Sequence, residues 1–206
     1  QRDLAAEAVY RFVFRSLYRL RAFNGDPHPG NYLFQPDGRV TFLDFGLVKH
    51  FSEAEIGIFG DMIQAMVIEG DTARYRRIIE QIGLLKPGAP VSDRQVHEYF
   101  SHFYEFVMHD EVVTITPQWS TDAVSRFFDP SGPYGPVIKA ANVPAGFVII
   151  QRINLGLMAI LGDLHATANF RRIAEELWPW VDGPPSTAHG EAEAHWLAQR
   201  SPAPSA

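Results

Sequence analysis

Three oxygen-bearing side chains near the start of the chain have the types and the spacing that phosphoryl transfer needs. Asp26 lies in a loop rich in Pro and Gly, Asn31 follows it by five residues, and Asp44 comes directly after an apolar run. Magnesium prefers hard oxygen ligands and usually takes one or two from the protein, the others coming from phosphates and water. Kinase sites combine an Asp that orients the nucleophile, an Asn five residues later and a second, metal-binding Asp. The pattern therefore indicates a magnesium-assisted, ATP-using site.

A β-hairpin is predicted between Asn31 and Asp44. Residues 32–34 and 39–43 are short β-like runs, and the Asp-Gly pair between them is a strong hairpin signal. A hairpin returns the chain to the place where it began. We therefore expect the Asp44 carboxylate to stand at the end of the second strand, close to Asn31.

Other residues of the two motifs fit the same interpretation. Pro27 and Pro29 stiffen the loop, which lowers the entropy lost when the site becomes ordered. Gly46 follows Asp44 and Phe45, and we expect it to let the chain leave the site at angles that other residues resist. Each motif alone is a weak signal, but the two separated by a hairpin form a strong one. The structural alternative is a Pro-rich turn before an ordinary hairpin, with the polar loop residues serving only as caps.

The two motifs carry a resemblance to a known family. Gly25-Asp26-Pro27-His28-Pro29-Gly30-Asn31, followed by Leu43-Asp44-Phe45-Gly46, closely resembles the ABC1/UbiB/AarF family of atypical kinases, also called the coenzyme Q8 kinase family. The resemblance covers residues 1–180 and is sharpest over residues 25–46. It implies an ATP- and Mg²⁺-dependent atypical kinase or ATPase, linked to isoprenoid quinone synthesis or lipid homeostasis.

The resemblance also implies roles for individual residues. Asp26 takes the role of the catalytic-loop Asp, Asn31 that of a metal and nucleotide ligand, and Asp44 that of the principal Mg²⁺ ligand, so that Mg²⁺ and ATP are the expected cofactors. The remaining motif residues support these three side chains; they are Gly25, Pro27, His28, Pro29, Gly30, Phe45 and Gly46. Besides the nucleotide, a quinone precursor or a lipid is an expected partner.

Two other functions compete with this interpretation. Aminoglycoside and choline phosphotransferases share a similar loop and a later Asp, but Pro27 directly after Asp26, Phe45-Gly46 after Asp44, and Asn24 in place of a His depart from their pattern. The second alternative is a non-enzymatic, pseudokinase-like interaction module that keeps the fold and acts through partners. Retention of the three polar side chains favours the enzyme.

The helical periodicity around the motifs predicts a mainly α fold of the protein-kinase C-lobe type. A helical bundle would carry a small β-hairpin with the catalytic and metal-binding loops. We expect this domain to span residues 1–182, with the catalytic loop at 25–31, the Asp-Phe-Gly motif at 44–46 and a helical subdomain at 52–180. Residues 183–206, rich in Gly, Pro, Ala, Ser and His, are predicted to form a flexible tail.

The elements of a kinase N-lobe are not found in the sequence. A nucleotide-covering loop, a phosphate-contacting Lys on a strand and its Glu partner would precede the catalytic loop, whereas Lys49 and Lys86 follow the motifs. We therefore expect a C-lobe whose N-lobe is missing or belongs to a separate chain, and which is a fragment, one half of a split protein or a remnant. Weak nucleotide affinity and little turnover are expected of the chain alone.

Composition and charge exclude several other classes. The chain has 206 residues, a net charge of −6 and no Cys, so nucleic acid is not an expected partner and disulfides are excluded. No signal peptide is recognised at the start. The apolar stretch 143–161 contains Arg152, which favours a buried amphipathic helix over a membrane span. A cytoplasmic location is expected, with peripheral membrane contact as an option.

Overall fold

The computed structural model of the chain describes residues 1–102 and 104–200. Over this part of the chain, helices form most of the structure and the strands are short. The helices are α1 (Arg2–Tyr18), α2 (Glu53–Ile63), α3 (Thr72–Gln81), α4 (Asp93–Ser101), α5 (Pro117–Phe128), α6 (Gly135–Ala140), α7 (Ala145–Asp163), α8 (Phe170–Leu177) and α9 (Ala188–Gln199). The strands are β1 (Ala22–Asn24), β2 (Tyr32–Phe34), β3 (Val40–Phe42), β4 (Val48–His50), β5 (Val113–Thr114) and β6 (Thr167–Ala168).

The strands form three separate antiparallel pairs. Strand β2 pairs with β3, with Tyr32 opposite Phe42, as the hairpin signal predicted. Strand β1 pairs with β4, a contact that the sequence did not indicate, and β5 pairs with β6. Gly38 has a φ of +88°, which explains the Asp-Gly pair in the turn because a side chain is strained there. A mainly α architecture with small hairpins is thus confirmed.

One continuous apolar core runs through the helices. Helix α1 buries Val9 and Val13 against α8, and the apolar face of α7 packs on α5. Many large core side chains are almost fully buried; among them are Tyr10, Met66, Tyr75, Ile79, Leu85, Leu161 and Phe170. Burial of such side chains contributes about 1.5–3 kcal/mol each. The core therefore holds α1 and α7, the two helices that flank the catalytic loop, in fixed positions.

Local capping signals fix the start of two helices behind the hairpins. The Ser52 hydroxyl accepts from the Glu55 main-chain N–H, and the Glu55 carboxylate accepts from the Ser52 main-chain N–H, which completes a capping box. The Asp71 carboxylate caps α3 by accepting from the Arg74 main-chain N–H at 2.8 Å. Helix α2 ends at Ile63, and residues Gln64–Ile68 follow it directly as a π-helical turn.

Helix α7 begins after Pro144, as predicted, and is the most apolar long helix described. Within residues 1–102 and 104–200, its segment Gly146–Asp163 alone has the length and mean hydropathy, 1.3, to cross a membrane, and 33% of it is buried. Core helices of globular domains meet the same criterion, so length and composition do not decide whether α7 spans a membrane or packs in a protein core. The helix carries Arg152, whose contacts are described below.

The C-terminal segment differs from its prediction as a flexible tail. Residues Ala188–Gln199 form α9, with Thr187 as its N-cap, and only residues 201–206 of the predicted tail lie outside the described part of the chain. The helix is anchored by Arg11, whose guanidinium donates to Thr187 at 2.9 Å and to Glu193 at 3.3 Å. Composition pointed to disorder because Pro and Ser precede the helix, while its partner lies in α1, far away in sequence.

We predict that His102 makes the fold less stable at low pH. Burial lowers the pKa of its imidazole from the ordinary 6.5, and the positive charge of Arg126 lowers it further. The unfolded chain therefore takes up a proton as the pH falls through 6.5, whereas the folded chain does not, so stability present above that pH is lost on acidification. Urea unfolding at about pH 7.5 and about pH 5 measures the loss.

The matched control for this prediction is His102→Phe, which keeps a ring against Tyr134 (5.2 Å between ring centroids in the native pair) and removes the titrating group. The variant is expected to lose less stability between the two pH values than the native chain. An equal loss in both proteins would contradict the prediction.

Candidate functional site

The catalytic loop is closed by main-chain hydrogen bonds from both hairpins. The N–H of Gly25 donates to the carbonyl of Leu47 at 2.7 Å, next to the β1–β4 pair. The N–H of Leu43 donates to the carbonyl of Asn31 at 3.0 Å, next to the β2–β3 pair. These two contacts bring Asp44 back beside the loop, so the structure places the two motifs together at one edge of the helical bundle.

Asn31 is tied directly to Asp26. Its side-chain amide nitrogen donates to the carbonyl oxygen of Asp26 at 3.1 Å and to Oδ2 of the same residue at 3.2 Å. Because the nitrogen faces Asp26, the amide oxygen points away from it. Asn31 therefore holds the carboxylate of Asp26 in place and leaves its own oxygen, a hard ligand, directed to the other side.

Asp44 is held by its own turn and by Asn24. The N–H of Gly46 donates to Oδ1 of Asp44 at 2.7 Å. The amide of Asn24 donates to the main-chain carbonyl of Asp44, and its oxygen accepts from the N–H of Asp26 at 3.2 Å. Asn24 thus connects the two acidic residues, a role that its position before Gly25 in the sequence does not indicate.

Gly46 serves a purpose other than the predicted one. The φ angle of Gly46 is not positive, so the chain does not leave Asp44 in a backbone conformation that favours Gly. A Cβ at this position would instead lie 3.1 Å from Oδ1 of Asp44. The absence of a side chain lets the amide of Gly46 approach the carboxylate closely, which fixes its orientation.

The donor set fits Mg²⁺ bound together with phosphates. Within residues 1–102 and 104–200, no group of three or more His, Cys, Asp or Glu side chains could hold a metal ion alone. The amide oxygen of Asn31 and Oδ2 of Asp44 are hard oxygen atoms at the same edge, and neither takes part in a hydrogen bond recorded for the described residues. Magnesium commonly uses one or two protein ligands and completes its octahedron with phosphates and water.

The remaining loop residues order the backbone. Nδ1 of His28 accepts from the N–H of Gly30 at 3.0 Å, and the segment Pro29–Asn31 forms one turn of 3₁₀ helix. This contact uses the ring of His28 as a cap, in agreement with an orienting role. Pro27 is buried, whereas Pro29 lies on the surface.

An apolar surface surrounds Asp44. Phe45 is 54% exposed and touches the edge of Phe12, which itself stacks on Phe42 at 3.8 Å between ring centroids. Several large apolar side chains near the motif are also exposed; they are Leu33, Phe34, Leu43, Leu47 and Val48. A group of exposed apolar side chains next to polar groups is typical of a surface that another domain or a ligand covers.

The sequence analysis did not find the contact between Arg152 and Asp26. Nη2 of Arg152, on α7, donates to Oδ1 of Asp26 at 2.7 Å. The two residues are 126 positions apart. An Arg in the middle of an apolar helix was the one available signal, and it was used only to argue against a membrane span.

Comparison with known proteins identifies a matching family and several relatives. Residues 1–79 match the family described as the ABC1 atypical kinase-like domain. The Arabidopsis thaliana protein ACTIVITY OF BC1 COMPLEX KINASE 3, chloroplastic, is 34% identical over 161 residues, or 78% of this chain and 21% of the relative. ACTIVITY OF BC1 COMPLEX KINASE 1, chloroplastic, from the same plant, is 35% identical to this chain over 80 residues, or 39% of this chain and 12% of that protein.

A solved structure has a similar fold. Rv3197 from Mycobacterium tuberculosis, determined in complex with erythromycin, matches with a TM-score of 0.66 and 27% identity, over 87% of this chain and 44% of that chain. The fold and the paired motifs therefore define a kinase-like protein. The match of residues 1–79 to the ABC1 atypical kinase-like family confirms the resemblance that the two motifs carry. It spans about a fifth of the length of the first plant relative, 21%.

Proposed function

We propose that this chain supplies the catalytic and metal-binding loops of an ATP- and Mg²⁺-dependent kinase or ATPase of the ABC1 type. One observation carries the proposal: Asp26, Asn31 and Asp44 meet at one edge of the fold, where Asn31 is bonded both to Asp26 and to the residue before Asp44. The names of the plant relatives, which call them kinases, support the same class of activity.

The side chains have distinct proposed roles. The amide oxygen of Asn31 and the carboxylate of Asp44 would hold Mg²⁺, which neutralises phosphate charge when it is bound. The carboxylate of Asp26 would accept the hydrogen bond of the attacking hydroxyl or water, and so orient it. The bond from Asn31 to Oδ2 of Asp26 keeps that carboxylate in position before a substrate arrives. Preorganised groups of this kind do not have to be ordered during the reaction.

The apolar surface around Asp44 supports a second lobe as partner. Exposed Phe45, Leu43 and Leu47 would be covered by nucleotide-binding elements that are provided by an N-lobe. We therefore propose that the chain alone binds nucleotide weakly. The link to isoprenoid quinone synthesis or lipid homeostasis, with a quinone precursor or lipid as partner, belongs to the same proposal and is supported by the motif resemblance.

Binding of Mg²⁺–ADP tests the proposed function. In calorimetric and NMR titrations we expect the chain to bind ADP only when Mg²⁺ is present. Asp44→Ala is expected to weaken binding about tenfold or more, or about 1.4 kcal/mol, because it removes the charged metal ligand. NMR shifts should be confined to the loop and to the residues that follow β3.

Asp37→Ala is the matched control. Asp37 is an acidic residue of the same hairpin, but it bonds to Arg39 in the turn, Oδ2 to Nε at 2.7 Å, away from the site. This variant should bind Mg²⁺–ADP like the native chain. The proposal fails if ADP does not bind, if it binds equally well in the presence of EDTA, or if Asp44→Ala binds as well as the control.

A further inference from the structure

Phosphoryl transfer needs positive charge that the catalytic loop does not provide. The transferred group spreads negative charge over its equatorial oxygens, and enzymes stabilise it with Arg, Lys or metal ions. In residues 22–47 the only Lys or Arg is Arg39. Its side chain is 79% exposed and bonds to Asp37 in the hairpin turn. The next cation in sequence, Lys49, is paired with Glu55 at 3.2 Å.

Arg152 provides a cation at the site from a distant part of the chain. Its Nη2 lies 2.7 Å from Oδ1 of Asp26, while Oδ2 of Asp26 faces Asn31. The two carboxylate oxygens therefore face different groups, one the proposed metal ligand and the other the guanidinium. A guanidinium has five N–H donors, and the bond to Asp26 is the one recorded for Arg152 among the described residues. The other donors remain for a second anion.

The guanidinium has room to move. The side chain of Arg152 is 56% exposed and lies in an open cleft of about 480 Å³ between α7 and the catalytic loop. The loop side of this cleft includes Asp26 and His28, and the α7 side includes Gln151 and Leu155. Arg152 can therefore rotate about its side-chain bonds within the cleft without displacing buried residues.

The helix that carries Arg152 is fixed to the loop on both sides of it. Ile149 and Gly156 share a face with Arg152, because positions three and four apart on a helix are neighbours. A Cβ on Gly25 would lie 2.5 Å from Cδ1 of Ile149, and a Cβ on Gly156 would overlap the ring of Pro27. Helix α7 thus packs closely on the loop on both sides of Arg152, through the side chain of Ile149 and the main chain of Gly156, so that only the side chain of Arg152 has to reorient.

We propose that Arg152 is a catalytic residue of this site: it pairs with Asp26 before the substrate binds and then donates to the oxygens of the transferred phosphoryl group in the transition state. This inference rests on the proposed function. In the reaction, the bond from the γ-phosphorus to the ADP oxygen breaks and a bond to the acceptor oxygen forms. The acceptor proton passes to Asp26, from which the guanidinium has moved, and ADP leaves. Bidentate geometry makes Arg better suited than Lys to this task.

A transition-state analogue tests the proposal without relying on turnover. Transition-state analogues bind at least about 100-fold more tightly than ground-state ligands in many enzymes. We expect aluminium fluoride to tighten the binding of Mg²⁺–ADP to the native chain by about tenfold or more. Arg152→Gln should bind Mg²⁺–ADP within about twofold of the native chain and lose this tightening. Arg152→Lys should restore part of it, because the charge is kept but the fork is lost.

Arg172→Gln is the matched control, since Arg172 also forms a half-exposed ion pair on a helix, with Asp110, but lies outside the cleft. It should keep the full effect of aluminium fluoride. Two results would overturn the role of Arg152 but leave the proposed function standing. In the first, aluminium fluoride still tightens Mg²⁺–ADP binding in Arg152→Gln; in the second, the native chain binds Mg²⁺–ADP but aluminium fluoride does not tighten the binding. If Arg152→Gln weakens Mg²⁺–ADP binding as much with aluminium fluoride as without it, Arg152 has a structural role, and the proposed catalytic role is overturned. No Mg²⁺–ADP binding by any variant would overturn the proposed function, and this inference with it.

Discussion

Replacing Arg11 by Met lowers the free energy of unfolding by about 3–5 kcal/mol, the range expected when one partner of a buried ion pair is removed. Arg11 is 7% exposed, and its guanidinium reaches three carboxylates. The bonds go to Glu7 at 2.7 Å, to Glu176 at 2.8 Å and to Glu193 at 3.3 Å. Without the cation, the buried charges of Glu7 and Glu176 stay close together without an Arg partner, whereas Glu193 keeps its ion pair with Arg15.

The position of Arg11 gives its loss a wider effect than that of a surface ion pair. Glu7 lies on α1, Glu176 on α8 and Glu193 on α9, so one side chain connects three helices. We expect α9 to detach in Arg11→Met before the rest of the chain unfolds. Urea unfolding gives the change in free energy, and hydrogen exchange of the α9 amides shows the detachment.

Two further variants make this prediction specific. Arg172→Met removes a cation from the exposed pair with Asp110 and should change the stability much less, because water screens that pair. The double variant Arg11→Met/Glu176→Leu removes both Arg11 and the buried carboxylate of Glu176 that would otherwise be left without its partner. Its loss of unfolding free energy should therefore be smaller than the sum of the losses in the two single variants. A loss below about 1 kcal/mol in Arg11→Met, the scale of an exposed pair, would disprove the assigned role.

Gly156→Ala is expected to displace the catalytic loop and to cost about 1–3 kcal/mol of stability, as overpacking typically does. The new Cβ would lie 2.9 Å from Cβ of Pro27 and 3.2 Å from its carbonyl oxygen. Neither atom belongs to a flexible side-chain end, so the backbone of the loop or of α7 has to move. The gain of about 1 kcal/mol that Ala brings to a helix interior does not offset this overlap.

Gly146→Ala is the control on the same helix. A Cβ at Gly146 would meet no atom within 4 Å, so this variant should be neutral or slightly more stable. In ¹H–¹⁵N spectra, Gly156→Ala should shift the amides of residues 25–31, and Mg²⁺–ADP binding should weaken, while Gly146→Ala leaves both unchanged. If the loop signals and the stability of Gly156→Ala match those of the control, α7 does not position the loop.

Local signals in the sequence were sufficient to predict the hairpin that joins the two motifs. The spacing of Asp26, Asn31 and Asp44 and the Asp-Gly turn between them predicted a hairpin, and the structure forms it. Ser52 with Glu55 is a local capping signal, as is Asp71, and a helix begins directly after Ser52 and after Asp71. Each of these interactions joins residues that are close in the chain, so the identity and spacing of the residues decide whether it forms. The chemical roles of the three site residues stay predictions.

Contacts between distant residues were decided by the tertiary structure. Arg152 reaches Asp26 across 126 positions, and Arg11 reaches Glu193 across 182, which turned the predicted tail into an ordered helix. No sequence motif assigns a role to Gly156, yet it is where Pro27 packs on α7. Such contacts depend on how helices cross and which faces they bury. The sequence by itself therefore determined which groups could hold Mg²⁺–ATP, whereas packing decided which cation stands beside them, because helix packing depends on the whole core.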